Sequence, residues 1–157
     1  MKPLIYLITA ISLLFVLNST SSAQIWLSTE DIFDEAEEFL NANEYVEALP
    51  LYHLLEKKGI QNAHIAYKIG YCYLNIRGQK ERAIPYLEAA CKSIRDDFEN
   101  TFSETDAPLK AMLSLGVAYR IQGRIDEAEE QFLQLKERIA KTDPDFIPVI
   151  DMHLERC

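Results

Sequence analysis

The feature that most constrains this chain is one pattern that occurs three times in the same phase. EEFLNANEYVEALPLY (37–52), GYCYLNIRGQKERAIPYL (70–87) and GVAYRIQGRIDEAEEQF (116–132) superimpose when each is aligned on a small residue, Ala36, Gly70 or Gly116. From that residue the first copy continues through Phe39, Asn43, Ala48 and Tyr52. The second continues through Tyr73, Gly78, Ala83 and Leu87, and the third through Tyr119, Gly123, Ala128 and Phe132. Offsets of 3, 7, 12 and 16 hold in the first and third copies, and the second carries one extra residue near Arg77. Ala36 and Gly70 lie 34 residues apart. A fixed period of this length, with apolar residues three and four apart on either side of a short polar turn, describes helical hairpins stacked in a row.

Each unit then reads as a helix A carrying the small residue, a turn, and a helix B. The small residues let helix A approach helix B of its own unit, with Ala48, Ala83 and Ala128 as the matching small surface. Phe39, Tyr73, Tyr119, Tyr52, Leu87 and Phe132 are expected to fill the layers between units. No hairpin of this kind buries its apolar face alone, so about three are needed for stability. ALPLY (48–52) and AIPYL (83–87) place a proline in helix B of the first two units. The phase sets each proline about one turn inside a helix that starts near residue 45 or 80. There the missing hydrogen bond is one that the first turn does not make. The third copy has Glu130 at that position.

The pattern resembles the tetratricopeptide repeat, most closely in the third copy: Met112, Leu115, Gly116, Tyr119, Gly123, Ala128 and Phe132. The aromatic that the family places early in helix A is replaced by Ile32, Ala66 and Met112. The closing proline is missing from the first two copies and displaced to Pro144 in the third. The resemblance implies an all-α, short right-handed helical-hairpin solenoid. Its repeats would span 29–62, 63–97 and 109–142. Residues 98–108 would form an acidic linker or an extension of the second helix B. Thr105 or Asp106 followed by Pro108 looks like the start of the next helix. Residues 145–157 carry Phe146, Val149, Ile150, His153 and Leu154 at helical spacing, which suits a capping helix or a truncated repeat. The chain stops in mid-pattern, as in a shortened relative of a longer protein.

In the tetratricopeptide family helix A lines an inner groove that holds protein ligands. Carried over, the groove would comprise Phe33, Glu37, Leu40 and Asn41 from the first repeat. The second would contribute Tyr67, Tyr71, Leu74 and Asn75, and the third Leu113, Val117, Arg120 and Ile121. Tyr67 and Tyr71, four apart, share a helical face and suit peptide contact. Asn41 and Asn75 could hydrogen-bond an extended backbone. Arg120 and Lys110 are the only candidates for gripping a terminal carboxylate, so such a ligand is not favoured.

Residues 1–23 read as a secretory signal peptide: Lys2, an apolar run from Leu4 to Leu17, then a polar stretch with Ser21 and Ala23 before the cut. The run is shorter than the roughly 20 residues that span a bilayer as a helix. With no cysteine near the cut, a lipoprotein anchor is disfavoured. Export would leave the protein periplasmic or associated with an outer membrane, and in contact with the membrane only through partners. The formal net charge is −9, which argues against nucleic acid as a partner. Cys72, Cys91 and Cys157 match no metal or redox spacing, and the first two fall in helical patterns as small core thiols.

No catalytic constellation is present. His53, His64 and His153 form no paired-ligand spacing, His53 reads as a solvated or packed side chain, and no phosphate loop or nucleophile elbow occurs. The runs DEAEEF (34–39) and DEAEEQF (126–132) read as helix starts or solvated faces. The expectation is therefore a non-enzymatic scaffold with protein partners of the cell envelope, needing no cofactor and no metal. The leader and the proline-bearing helix B resemble the exported repeats of bacterial envelope proteins that precede propeller-like and OmpA-like domains, some of which serve secretion or gliding machinery. Those further domains have no counterpart in this sequence, so peptidoglycan binding is not carried over. The alternative is a glycan-binding accessory of an envelope uptake system.

Overall fold

The computed structural model describes residues 27–157 apart from Lys141. The expected signal peptide, 1–23, lies outside the described residues. Seven α-helices follow in order: α1 (Thr29–Asn41), α2 (Tyr45–Lys57), α3 (Ala63–Asn75), α4 (Ala83–Ala90), α5 (Lys110–Ile121), α6 (Ile125–Ile139) and α7 (Ile147–Leu154). Short 3-10 turns at Lys80–Arg82 and Pro144–Phe146 lead into α4 and α7. Each helix packs mainly on its neighbours in sequence, α1 on α2, α3 on α4 and α5 on α6 most extensively, as a solenoid of hairpins requires.

Two helices, α1 and α3, start where a side chain satisfies one of their free N–H groups. Ser28 Oγ accepts from Asp31 N at 3.0 Å while Asp31 Oδ2 accepts from Ser28 N at 2.9 Å, a reciprocal cap on α1. Asn62 caps α3 through Ile65 N at 2.9 Å. The three hairpin turns share one backbone solution. Asn43, Gly78 and Gly123, equivalent in the repeat, all take positive φ, at 61°, 77° and 75°. Glycine reaches this region freely, and asparagine is among the few other residues that do so at modest cost.

Close approach inside each hairpin sets the spacing. A Cβ placed on Gly116 would lie 2.5 Å from Phe132 Cε1, and one on Gly70 would lie 2.7 Å from Leu87 Cγ. Leu87 and Phe132 therefore pack within their own hairpins, over the glycines, rather than between repeats as expected. Tyr52 likewise reaches back to α1. The layers between repeats are made by Tyr73, whose hydroxyl lies 3.0 Å from His53 Nε2, and by Tyr119, which donates to Glu88 at 2.8 Å. His53 is thus a packed side chain, edge-on to Tyr86 at 5.8 Å.

Both prolines are exposed, but they differ in position. Pro85 is the third residue of α4, where no backbone bond is lost. Pro50 is the sixth residue of α2, so Val46 loses its helical acceptor role, and exposure of Val46 lets water take that place. The second helix B begins at Ala83 rather than 80.

The segment 98–108 is a loop, not a helix extension. Ile94–Arg95 and Ala107–Pro108 pair as a two-residue parallel bridge, and the chain between them forms a strap. Helix α5 starts at Lys110 behind Leu109, without a side-chain cap. The expected helix start at Thr105 or Asp106 fails because Asp106 is engaged elsewhere. It accepts from Ser93 Oγ at 2.5 Å and from Arg95 Nε at 3.2 Å. Cys72 is buried, Cys91 half-buried and Cys157 exposed, all as free thiols. Burial pushes the thiols of Cys72 and Cys91 up to about 12.

Gly116→Ala is expected to destabilise the fold by about 2 kcal/mol, because Phe132 is fully buried and overpacking outweighs the ~1 kcal/mol gain in helix propensity. Gly70→Ala, facing the more adaptable Leu87, should cost less. Chemical denaturation of both variants checks the order.

Candidate functional site

Helices α1, α3 and α5 carry the residues of the expected groove, and the structure divides that groove in two. In the first half the strap lies over α1 and α3. Phe33 is 2% exposed, with His64 at 5.4 Å and Phe102 at 5.8 Å between ring centres. Glu37 is also buried, so the run 34–39 is a solvated face only at Asp34, Glu35 and Glu38. It lies in mid-helix, whereas Asp126 and Glu127 do open α6. Glu37 accepts from Tyr52 Oη at 2.5 Å, from Lys68 Nζ at 2.9 Å and from Asn100 Nδ2 at 2.6 Å. Three groups from three segments, the farthest 63 residues away in sequence, thus converge on one carboxylate.

The electrostatics follow from that convergence. Burial pushes Glu37 up, but the Lys68 charge and the hydrogen bonds from Lys68, Tyr52 and Asn100 outweigh it, and the carboxyl ends below its ordinary value. Burial pulls Lys68 down, against the opposing charge of Glu37. Burial, then the charge of Glu37, raises the Tyr52 hydroxyl far above its ordinary value, so it stays a donor. His64 is fully buried, with Nδ1 3.3 Å from Glu104 O and Nε2 3.1 Å from Asn100 Oδ1. Burial first, and the Lys68 charge second, hold it below 6.5, so it is neutral at pH 7.

The second half stays open. A channel of about 520 Å3 runs between α1 and α3 on one side and α5 with the C-terminal segment on the other. Asn41, Tyr67, Tyr71, Leu40 and Leu113 line it, as do Tyr45, Lys110 and Phe146. Tyr71 meets Tyr45 edge-on at 5.9 Å and Tyr67 at 5.7 Å. Asn43 anchors the Tyr45 hydroxyl at 2.7 Å. Burial raises the Tyr67 hydroxyl well above its ordinary value. A neighbouring concavity of about 500 Å3 shares Tyr67, Lys110 and Phe146, with Phe98 and Asn100 of the strap as its wall.

The remaining expected residues are placed otherwise. Asn75 is exposed but turns its Nδ2 onto Tyr71 O at 2.8 Å. Val117 is half-buried against the core, Leu74 is buried and Ile121 is exposed. Arg120 is not in the channel lining. Its Nε is buried without a hydrogen-bond partner among the described residues, and its charge faces His153 of α7. Lys68, His64 and Asn100 were not anticipated as site residues. Lys68 and His64 fall outside the groove positions of helix A, and nothing periodic marks Asn100. Among the described residues no group of three or more His, Cys, Asp or Glu is placed to hold a metal ion, and no helix is long and apolar enough to cross a membrane.

The hairpin geometry, the glycine contacts and the shared turns define a class of stacked helical-repeat proteins. The tetratricopeptide repeat family model matches residues 33–100 and 95–144, and the chain belongs to that family. A comparison with curated proteins finds no match. Among solved structures the chain is similar to SycD, the type III secretion translocator chaperone of Yersinia enterocolitica, seen in an alternative dimer. The identity is 18% and the TM-score 0.59, over 81% of this chain and 89% of that one. At this identity the likeness concerns the fold.

Lys68→Met is expected to cost about 3–5 kcal/mol, since it strands the buried Glu37 charge, and adding Glu37→Gln should recover most of the loss. Urea denaturation of the two variants decides this. His64 binds a proton more readily unfolded than folded, so its contribution to stability is present above 6.5 and falls as pH drops below that value. His64→Gln should flatten the stability profile between pH 7 and 5, measured by denaturation at fixed pH.

Proposed function

We propose that this protein is an exported tetratricopeptide scaffold that binds a segment of a partner protein in the cell envelope, within the assembly of an outer-membrane or secretion complex. The observation that carries the reading is the open channel, where Tyr45, Tyr67 and Tyr71 cluster beside Asn41 and Lys110. Rigid aromatic faces with polar tips supply contact area at low entropic cost, and the amide and ammonium groups supply direction. Membership of a repeat family whose members hold protein ligands supports the same reading. So does the likeness in fold to a translocator chaperone. The leader-like residues 1–23 support export, and the acidic balance favours a neutral or basic partner. The protein performs no catalysis in this reading and needs no cofactor.

The test is crosslinking and capture from envelope fractions, comparing the wild type with Tyr71→Ala and Asn41→Ala. Tyr71 is half-buried and Asn41 exposed, so both variants should fold. Tyr71→Ala is expected to reduce the captured protein partner about tenfold or more, in line with loss of an aromatic anchor. Capture unchanged by both substitutions would overturn the channel as the site. Recovery of a glycan as the sole ligand would replace the scaffold by the uptake reading.

A further inference from the structure

The strap is anchored at its base and merely seated at its tip. The base is fixed by the Ile94–Arg95/Ala107–Pro108 bridge and by Arg95 with Asp106 at 3.1 Å. Glu104 Oε1 accepts from the N–H groups of Thr105 and Asp106 at 2.8 and 2.9 Å, and Arg138 Nε donates to Asp96 at 2.8 Å. The tip, FENTF (98–102), touches the groove through every second residue. Phe98 stands edge-on to His64 at 5.0 Å, and Phe102 packs on Phe33 at 5.8 Å. Between them Asn100 donates to Glu37 Oε2 at 2.6 Å and lies 3.1 Å from His64 Nε2. A bond from Thr101 N to Glu99 O, 2.9 Å, makes a tight turn with Asn100 at its apex.

We infer that the tip is a built-in ligand, and that the first half of the groove accepts in its place a turn-forming segment of a partner protein with the pattern aromatic-x-Asn-x-aromatic. Three observations separate this from a purely structural loop. The tip rests on the surface, with Asn100 exposed and both phenylalanines only half-buried. Its receptor is built from helices of two successive repeats, Phe33 and Glu37 on α1 and His64 on α3. These helices carry the family's ligand-facing positions. The receptor is also satisfied without the tip. Glu37 keeps Tyr52 and Lys68, and the single N–H of the neutral His64, which meets Asn100 Oδ1 through Nε2 when the tip is seated, can move to Nδ1 and donate to Glu104 O of the anchored base. Lifting the tip therefore orphans no buried charge. The carboxamide is read on both edges, by an acceptor carboxylate and by an imidazole, so a carboxylate in its place would face Glu37 with like charge.

This inference rests on the reading of the groove as a protein-binding surface, but concerns its other half. A tethered tip acts at an effective concentration on the order of millimolar, so a free segment binds the wild type weakly and binds well once the tip is disabled. The experiment uses the full chain and a fluorescent peptide of residues 96–104, followed by anisotropy. The variant Phe98→Ala/Asn100→Ala/Phe102→Ala is expected to bind the peptide at least about tenfold more tightly than the wild type. A peptide with alanine in place of its asparagine should lose that binding. Glu37→Gln placed in the tip-disabled chain should weaken it. Equal affinity for wild type and variant, or no binding to a variant whose circular dichroism and Tm show it folded, would overturn the inference. Should the triple variant not fold, Asn100→Ala serves, together with hydrogen exchange of the wild type. Amides 97–103 are then expected to open well below the free energy of global unfolding, and exchange only through global unfolding would overturn the proposal. Tyr71→Ala leaves peptide binding unchanged while reducing partner capture in the channel, so failure of either reading is told apart from failure of the other.

Discussion

The close approach of two helices over a residue with little or no side chain governs this structure. Gly70 under Leu87 and Gly116 under Phe132 bring helix A and helix B of a hairpin together, and neither glycine has room for even one further carbon atom. Ala36, fully buried in the first hairpin, marks the same point. Because one face of each helix A is committed to its partner, the adjoining faces must either meet the next repeat or line the groove. The positions of Tyr73, Tyr119 and Tyr71 follow from that division. So does the need for a left-handed turn residue, since a hairpin this tight must reverse within a few residues. Asn43 serves where the other two repeats use glycine, and no other non-glycine residue described takes a positive φ.

Much of this was legible in the sequence because it is periodic. The small residues, the turns and the alanines of helix B recur at fixed offsets, and a recurring offset reports a local packing rule. The direction of Leu87 and Phe132 was misjudged for a physical reason. A large residue opposite a glycine fills that glycine's missing volume before it can fill anything else. Pro50 is exposed, but its depth inside α2 depends on where the helix starts, and Glu44 offers no side-chain cap to mark that point.

The site was legible only where it repeats. Helix-A positions put Tyr67, Tyr71 and Asn41 on the open channel. They also put Phe33 and Glu37 on the groove side, yet nothing in the pattern revealed that both are covered. The cover comes from an insertion that has no counterpart in the other repeats, so no offset could report it. Its decisive contacts, from Asn100 to Glu37 and to His64, join residues 63 and 36 positions apart. Lys68 reads as a surface lysine in a helical pattern until Glu37 is known to be buried beside it. Long-range polar pairing of this kind leaves no periodic trace in a single chain.

The covered half of the groove has a floor in which the paired charge of Glu37 and Lys68 lies beside Phe33, and this bears on what the strap can do. A buried ion pair contributes little net stability compared with apolar residues of the same volume. It does leave a floor that water can wet when the cover lifts. Phe33 is the large apolar side chain packed under Phe102, and the half-buried Phe98 and Phe102 of the tip would be exposed with it. Glu37 and Lys68 would stay paired, and Tyr52 would still donate to Glu37. The tip can therefore leave and return without disturbing the hairpins beneath it, while the clamp of Arg95, Glu104 and Asp106 keeps its base in place. A groove divided in this way presents one half that is always open, built on tyrosines, and one half whose access is set by a five-residue segment of the chain itself.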